Sequence, residues 1–310
     1  MAYDAVTKTK IDSGTTFAYT SYAVRNHVNK AHENLRVLDE NGKPLTRESR
    51  DSSEHPESTP IVIGFDVTGS MGENPAILQK SLKGLFGMLV RKDVVSDPQV
   101  AIAGYGDTHC DYVPVQFSQF ESDNRIDDNL DDVYIEHGGG GNMGETSTAL
   151  VWFVANHVVT DAWEKRGKKG YLFLVGDECA LDVSAEQSKE FLGEEQGHKI
   201  TPEEAFALAA ERWEIYFLLV DNYSAKMQHS KEKYEKLIGK DHVITLQSTE
   251  AAPAITAAVI GLAEETASDD TIVADLVDAG FDRSIAVVAA DAVGGISEVV
   301  ADGEYGDLGL

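Results

Sequence analysis

An aspartate and two hydroxyl side chains occupy alternate positions directly after a short apolar run. The segment reads Asp66-Val-Thr68-Gly-Ser70, and the apolar run before it covers Ile61–Phe65. The glycine between the two hydroxyls lets the backbone curl, so that the three side chains can converge on one point. Carboxylate and hydroxyl oxygens are hard ligands of the kind that Mg²⁺ takes in an octahedral site that keeps several waters. The spacing therefore indicates a magnesium site.

From Ile61 onward, short apolar runs alternate with helical patterns. This alternation is typical of βαβ units that build a parallel sheet. The predicted strands are Ile61–Phe65, Val100–Tyr105, Tyr171–Gly176, Ile215–Val220 and Val243–Leu246, with Val113–Phe117 as a shorter edge strand. We therefore expect an α/β fold, a doubly wound and mainly parallel sheet flanked by helices.

Local sequence signals predict helices between these strands. Asn74-Pro75 is typical of an N-cap followed by proline at the first helical position, and leucines then recur at helical spacing at Leu78, Leu82, Leu85 and Leu89. Further helices are predicted near Tyr22–Leu38 and over Glu145–Lys165, Thr201 to about Trp213, Ser224–Lys240 and about 250–265. Glycines at Gly280 and Gly294-Gly295 are expected to interrupt the acidic tail.

Aspartates follow four of the predicted strands: Asp66, Asp107 (one glycine later), Asp177 and Asp221. The carboxyl ends of parallel strands share one rim of the sheet, where ligands bind. One such aspartate can simply cap the next helix, which is our interpretation of Asp221. Several carboxylates at one rim repel each other, so we expect a cation there. Asp107 is the weaker candidate of the other three.

These residues resemble the metal-ion-dependent adhesion site (MIDAS) of von Willebrand factor type A (vWA) domains. The family motif is Asp-x-Ser-x-Ser, and Thr68 replaces its first serine while keeping the hydroxyl. The resemblance covers about residues 60–263. The family also places an aspartate at the end of a later central strand, and Asp177 in Phe173-Leu-Val-Gly-Asp-Glu178 matches it. Between the two, Gly138–Gly141 and the segment after it are similar to the family's glycine-rich loop.

The loop departs from the family pattern at the position of the metal-reaching threonine. Counted back from Ala149-Leu150, that position falls on Gly144, so the ligand would be Glu145 or Thr146. The resemblance therefore implies a metal site that holds Mg²⁺, or Mn²⁺ or Ca²⁺. Its ligands would be Asp66, Thr68, Ser70 and Asp177, with Glu145 or Thr146 between them.

The resemblance implies a function in protein binding. In vWA domains the metal leaves one position to an acidic side chain of a protein partner, so we expect a non-catalytic, metal-dependent protein–protein interaction module that serves as an adaptor or scaffold. It looks like the intracellular type found in bacteria and phages, some of which work with AAA+ ATPases. The expected location is the cytoplasm, or the virion or host cytoplasm for a phage protein.

Two alternatives remain open on the sequence. Asp66-Val-Thr-Gly-Ser70 also looks like the nucleophile motif of haloacid-dehalogenase-type phosphatases, in which Asp66 would attack phosphate, and Gly176–Asp182 is similar to their magnesium motif. Thr68 stands where those enzymes carry a second aspartate, which counts against this reading. The other alternative is a structural component of a larger assembly, packed through the two flanking segments.

Composition and charge restrict the possible partners. The chain has 310 residues, 26 Lys and Arg, 53 Asp and Glu, a net charge of −27 and two cysteines. Without a basic stripe, this charge argues against nucleic acid as a partner. The apolar runs are too short to span a membrane, and the first ten residues do not predict a secretory signal. The predicted organisation is an N-terminal extension over 1–57, a vWA-like domain over 58–265 and an acidic C-terminal appendage over 266–310.

Overall fold

The fold is built on a six-stranded central sheet. The structure, a computed structural model, describes residues 31–83, 85–86, 89, 93–123, 125–136, 147–194, 198–221, 227–268 and 270–301. The strands are β1 (Arg47–Ser49), β2 (Thr59–Asp66), β3 (Pro98–Tyr105), β4 (Val115–Phe117), β5 (Val158–Thr160), β6 (Gly170–Gly176), β7 (Trp213–Val220) and β8 (Val243–Leu246). The central sheet has the order β4-β3-β2-β6-β7-β8, and β4 is its antiparallel strand. The α/β fold and all six predicted strands are confirmed.

The strand order reverses in the middle of the sheet. From β2 the chain builds outward through β3 to β4 on one side, and from β6 through β7 to β8 on the other. In doubly wound sheets, ligands bind in the crevice at the carboxyl ends of the two strands that flank this reversal. Here those strands are β2 and β6, which end at Asp66 and next to Asp177.

Helices cover both faces of the sheet. Their bounds are α1 (Asn74–Leu82), α2 (Arg125–Asp132), α3 (Ser147–His157), α4 (Asp161–Arg166), α5 (Ala185–Leu192), α6 (Pro202–Ala210), α7 (Met227–Ile238), α8 (Ala252–Ala263), α9 (Ile272–Asp278) and α10 (Arg283–Ala301). None of these helices, which cover only the described residues, combines the length and apolar character needed to cross a membrane.

Strand side chains alternate between two separate apolar cores. Ile61, Ile63 and Phe65 of β2 pack in a core with α1, α2, α8, α9 and α10, while Val62 packs in a core with α3, α6 and α7. This period of two is what a strand buried on both faces requires. The predicted leucine stripe of the first helix lies entirely in the first core: Leu78, Leu82, Leu85 and Leu89 are all buried.

Three predicted helix boundaries are wrong. The N-cap of α1 is Glu73, not Asn74, because the Asn74 side chain instead accepts a hydrogen bond from Thr249 Oγ1 at 3.1 Å. The helix predicted over Glu145–Lys165 is interrupted by β5, whose Val-Val-Thr run favours a strand. The helix from Thr201 ends at Ala210, because Trp213 is already the first residue of β7.

The terminal segments also differ from prediction. In the described part of the helix predicted near Tyr22–Leu38, the only helical element is the 3₁₀ turn Glu33–Leu35. Gly280 separates α9 from α10 with φ +106°, as predicted. Gly294-Gly295 lies inside α10 and does not interrupt it, since the stripe of Ala286, Ala289 and Val293 is buried in the core and offsets the low helix propensity of glycine.

Packing crosses both predicted domain boundaries in the described residues. Residues 47–49 form β1, which pairs in parallel with β5 as a second, two-stranded sheet. At the other end, α9 and α10 contribute Ile272, Leu276 and Ala289 to the same core as α1 and α8. The boundaries at 57/58 and 265/266 stay predictions, but neither separates independent packing units in this part of the chain.

A network of ion pairs fastens the segment after β1 to α4. We call residues 50–58 the strap. Arg50 donates to Asp161 at 2.8 Å and to Glu164 at 2.7 Å, and Asp51 accepts from Arg166 at 2.8 Å. Shared partners of this kind lower the entropy cost of each pair relative to isolated surface pairs, which contribute little. The strap is therefore fixed to the domain by charge as well as by the β1–β5 pairing.

Acid is expected to loosen the strap. Arg166 holds the pKa of Asp51 well below its usual value. Burial alone would raise the pKa of Asp161, but hydrogen bonds from Lys165, the Asp51 N–H and Arg50 lower this pKa to about 2. Because these pKa values are lowered in the folded state, their stabilisation is present above the unfolded pKa near 3.9 and is lost as the pH falls toward about 2. Asp51→Asn should be less stable than wild type at pH 7 and should lose less stability from about pH 4 to 2, measured by urea unfolding. Exposed Asp291→Asn is the control, and equal pH dependence in all three chains would contradict the role of the network.

Glu265 ends α8 in a conformation that favours glycine. It has φ +57°, its side chain is exposed, and its N–H donates to Leu262 O at 3.2 Å. An L-residue in this left-handed region costs about 1–2 kcal/mol. Glu265→Gly should raise the free energy of unfolding by about 1 kcal/mol in urea titrations, whereas Glu265→Ala keeps the strain and should give no comparable gain. Equal effects of the two substitutions would contradict this explanation.

Candidate metal centre

Asp66 lies at the end of β2 and organises the turn that follows. The residue has no exposed surface, and its Oδ1 accepts a hydrogen bond from the Thr68 backbone N–H at 2.7 Å. This side-chain turn is a common arrangement for aspartate at the start of a loop. It leads into the 3₁₀ turn Gly69–Met71, which Gly72 ends with φ +58°. The local sequence therefore folds the motif back over the strand end, as the spacing predicted.

The hydroxyls of Thr68 and Ser70 connect this turn to the end of β6. Ser70 Oγ donates to Asp177 Oδ1 at 3.2 Å, and Thr68 Oγ1 lies 2.9 Å from Ser70 Oγ. Because a serine has one hydroxyl proton and Asp177 takes it, Thr68 is the donor in its contact with Ser70. Thr68, Ser70 and Asp177 thus form a hydrogen-bonded chain from the turn to the end of β6.

Asp66 and Asp177 are carboxylates on neighbouring strand ends. Asp177 follows Gly176 and is 2% exposed. Gly176 lies beside Asp66, since a Cβ built on it would be 3.4 Å from Asp66 Cβ. Two carboxylates buried on adjacent strand ends repel each other when both are ionised, and added positive charge would offset that repulsion.

The residues present fit a hard divalent cation. The group offers two carboxylates and two hydroxyls, all oxygen donors, and Mg²⁺ is commonly held by one or two carboxylates plus waters. Within the described ranges, no group of three or more His, Cys, Asp and Glu side chains is placed to hold a metal ion. A site of this kind would therefore depend on its hydroxyls, and a nitrogen- or sulfur-rich zinc site has no support among these residues.

Two of the predicted ligands lie outside the described residues. Glu145 and Thr146 belong to this group, and α3 begins immediately after them at Ser147. The start of that helix is fixed, because Ser147 Oγ and Tyr234 Oη are 2.8 Å apart in the core. A ligand from the glycine-rich loop stays a prediction.

Asp107 lies at the same rim but is engaged in its own loop. Its Oδ1 accepts from the His109 backbone N–H at 2.7 Å and lies 3.0 Å from His109 Nδ1. Its backbone N–H donates to Asp111 Oδ2 at 2.7 Å. These bonds hold Asp107, which is 4% exposed, within its own loop. Asp221 follows directly after β7, and its N–H donates to Leu246 O at 3.0 Å.

Glu136 is a rim residue that the sequence did not indicate. Its backbone N–H donates to Val67 O at 2.9 Å, directly beside Asp66, and its Oε1 accepts from the N–H groups of Tyr112 at 2.8 Å and Val113 at 3.2 Å. It therefore joins the turn after β2 to the β3–β4 loop. A single glutamate after an acidic helix gives no signal of this role in the sequence.

The β3–β4 loop holds an unreactive cysteine. Burial raises the pKa of Cys110 to about 12, with further contributions from the charges of Asp111 and Asp107. Its Sγ donates to Asp111 Oδ1 at 3.7 Å. Since the nucleophilic form of cysteine is the thiolate, this residue is not suited to nucleophilic catalysis at neutral pH.

Asp177→Asn tests the electrostatic balance of the site. Without divalent ions, removing one of the two neighbouring charges should raise the free energy of unfolding by roughly 1 kcal/mol, the scale of one pKa unit. With saturating Mg²⁺ the order should reverse, because the wild type then gains more from the ion. Thermal unfolding in EDTA and in MgCl₂ measures both, with exposed Glu190→Gln on α5 as the control. The same order in both buffers would contradict a shared cation site.

Comparisons with known proteins extend to the fold only. No protein-family model and no curated protein matches the sequence. Among solved structures, the pilus adhesin SpaC from Lactobacillus rhamnosus GG is 12% identical over 71% of this chain and 32% of its own, with a TM-score of 0.50. The conserved hypothetical protein BatB from Bacteroides thetaiotaomicron is 12% identical over 68% of this chain and 100% of its own, with a TM-score of 0.40. The chain spans about a third of the adhesin's length, and the likeness to the adhesin is one of fold.

Proposed function

We propose that this protein is a vWA-type module that binds a protein partner through a divalent metal ion and does not catalyse a reaction. The observation that carries the proposal is the meeting of Asp66, Thr68, Ser70 and Asp177 at the strand-order reversal of the sheet. The Ser70–Asp177 hydrogen bond joins the two halves of this group. The donor set and its position are those expected for the MIDAS motif that the sequence resembles.

Each residue has a distinct part in the proposed site. Asp66 is held by the Thr68 N–H and supplies buried negative charge. Asp177 orients the hydroxyl of Ser70, which lies 2.9 Å from Thr68 Oγ1, and this chain gathers the oxygen atoms that would hold the ion. When bound, Mg²⁺ or a similar ion supplies the positive charge that attracts an acidic side chain of the partner.

The net charge of the chain explains why an ion would be needed for such a partner. A surface with net charge −27 repels an acidic segment, and screening limits this repulsion to about 8 Å at physiological salt. A local divalent cation changes the sign of the field only where the partner's carboxylate arrives. Binding would therefore depend on the metal ion and on where the partner's carboxylate lies, as the function of an adaptor requires. An AAA+ ATPase complex is the class of partner that we propose to test.

The phosphatase alternative is not favoured by the position of Asp66. A nucleophilic aspartate needs a carboxylate oxygen available for attack, whereas Asp66 Oδ1 accepts from the Thr68 N–H, and Thr68 stands where those enzymes carry a second aspartate. A phosphomonoesterase rate that disappears in Asp66→Asn, together with aspartyl-phosphate on Asp66, would overturn the non-catalytic proposal.

Calorimetric titration with MgCl₂ tests the metal site directly. Wild type should bind one ion, and Asp66→Ala should lose binding while keeping the far-UV circular dichroism of the folded chain. Exposed Asp241→Ala, located just before β8 at the opposite end of the sheet, is the matched control and should bind as wild type. No heat and no thermal shift with Mg²⁺, Mn²⁺ or Ca²⁺ for the wild type would refute the proposal.

Partner binding is tested with the same variants immobilised as bait. A protein captured in MgCl₂ and released by EDTA should be absent with Asp66→Ala and present with Asp241→Ala. Retention of the same protein by all three baits in EDTA would show an interaction that does not involve the metal.

A further inference from the structure

We propose that Tyr105 is a positioning residue of the metal centre, whose hydroxyl group fixes the relative placement of the two strand ends that carry Asp66 and Asp177. This inference rests on the proposed metal site. It concerns a residue of β3 that lies outside the Asp66–Ser70 motif.

Tyr105 connects two strands that are not neighbours. It is the last residue of β3 and is paired in register with Asp66 on β2. Its hydroxyl nevertheless donates to Val175 O on β6 at 2.9 Å. Because β2 lies between β3 and β6, the side chain has to cross the end of β2 next to Asp66. With 1% exposure, the ring is part of the core beneath the rim.

Gly176 provides the space that this crossing needs. A Cβ at this position would overlap the Tyr105 hydroxyl oxygen and would lie 3.4 Å from both Tyr105 Cζ and Asp66 Cβ. The three residues thus form a row across three adjacent strand ends, with Asp66 in the middle. Since Asp177 is the next residue after Gly176, the hydroxyl holds the backbone from which Asp177 extends.

This arrangement matters for metal binding because ligand positions have a narrow tolerance. A binding constellation has to be held within about 0.5 Å of its productive geometry by groups outside it. The β2–β6 pairing ends at Phe65, one residue before Asp66, and at Val175, two residues before Asp177. The Tyr105 hydroxyl, bonded to Val175 O, and the Ser70–Asp177 bond are two contacts that hold this end of β6.

The test compares two tyrosine hydroxyls that form hydrogen bonds at opposite ends of β6, Tyr105 of β3 and Tyr171 of β6 itself. Tyr105→Phe removes the bond at the rim, and Tyr171→Phe removes a bond to Glu264 Oε1 of 2.7 Å at the other end of β6. Both variants should unfold at lower temperature than wild type in EDTA. Only Tyr105→Phe should weaken Mg²⁺ binding in calorimetry, by about 10- to 100-fold, the range measured when outer-sphere partners of metal ligands are removed.

The outcomes separate this inference from the proposed function. A wild type that binds no Mg²⁺ refutes the metal site itself. A wild type that binds Mg²⁺ together with a Tyr105→Phe that binds equally well overturns the positioning role and leaves the site in place. Weakening of the same size in Tyr171→Phe would also overturn it, because a general loss of stability would then explain the effect.

A second pair of variants tests the packing of the Tyr105 hydroxyl against Gly176. Gly176→Ala should lower the unfolding temperature because its Cβ collides with the Tyr105 hydroxyl, and by displacing that hydroxyl it should also weaken Mg²⁺ binding. In Tyr105→Phe/Gly176→Ala the colliding oxygen is gone and the remaining contacts of 3.4 Å are ordinary. The double variant should therefore unfold at a higher temperature than Gly176→Ala alone. Additive losses would overturn the proposed contact.

Discussion

The close approach of two buried carboxylates at the centre of the sheet is the constraint on which the rest of the site depends. Asp66 and Asp177 belong to the two strands at which the strand order reverses, so the topology itself places them side by side. Asp66 accepts a hydrogen bond from the Thr68 N–H, and Asp177 accepts one from the Ser70 hydroxyl. The fold therefore holds acidic side chains in a position where a cation would be stabilising. This position is the crevice at which doubly wound sheets bind their ligands.

Much of the fold was predictable, because it follows from short-range patterns. Each buried strand is a continuous apolar run bounded by polar residues, and its alternate side chains enter the two cores. The errors arose where a tertiary contact overrides a local preference. Asn74 bonds to Thr249, which is far away in the sequence, and thus leaves its expected role as a cap. The helix predicted through residues 158–160 is lost because β1 offers those residues a strand partner.

The candidate site shows the same division between local and long-range information. The turn at Asp66 is encoded in five consecutive residues, and the link to Asp177 follows once the strands are known to be adjacent. Glu136 and Tyr105 could not be found in this way. Glu136 acts through its backbone N–H to Val67 O and through its carboxylate to two backbone N–H groups of the β3–β4 loop, contacts that exist only once the sheet is assembled. Tyr105 acts across an intervening strand. Gly176 was visible in the sequence only as the residue before Asp177, since its packing against a hydroxyl from β3 depends on the assembled sheet.

The anchoring of α3 at both ends limits how the protein could respond to a ligand. Its first residue is bonded to Tyr234 in the core, and its last residue leads directly into β5, which is paired with β1 next to the ion pairs of the strap. A helix held in this way does not translate along its axis unless a parallel strand pair is broken. We therefore expect ligand binding at the rim to rearrange loops while the sheet and α3 stay in place. A larger movement of α3 would first have to separate β1 and the strap from β5 and α4.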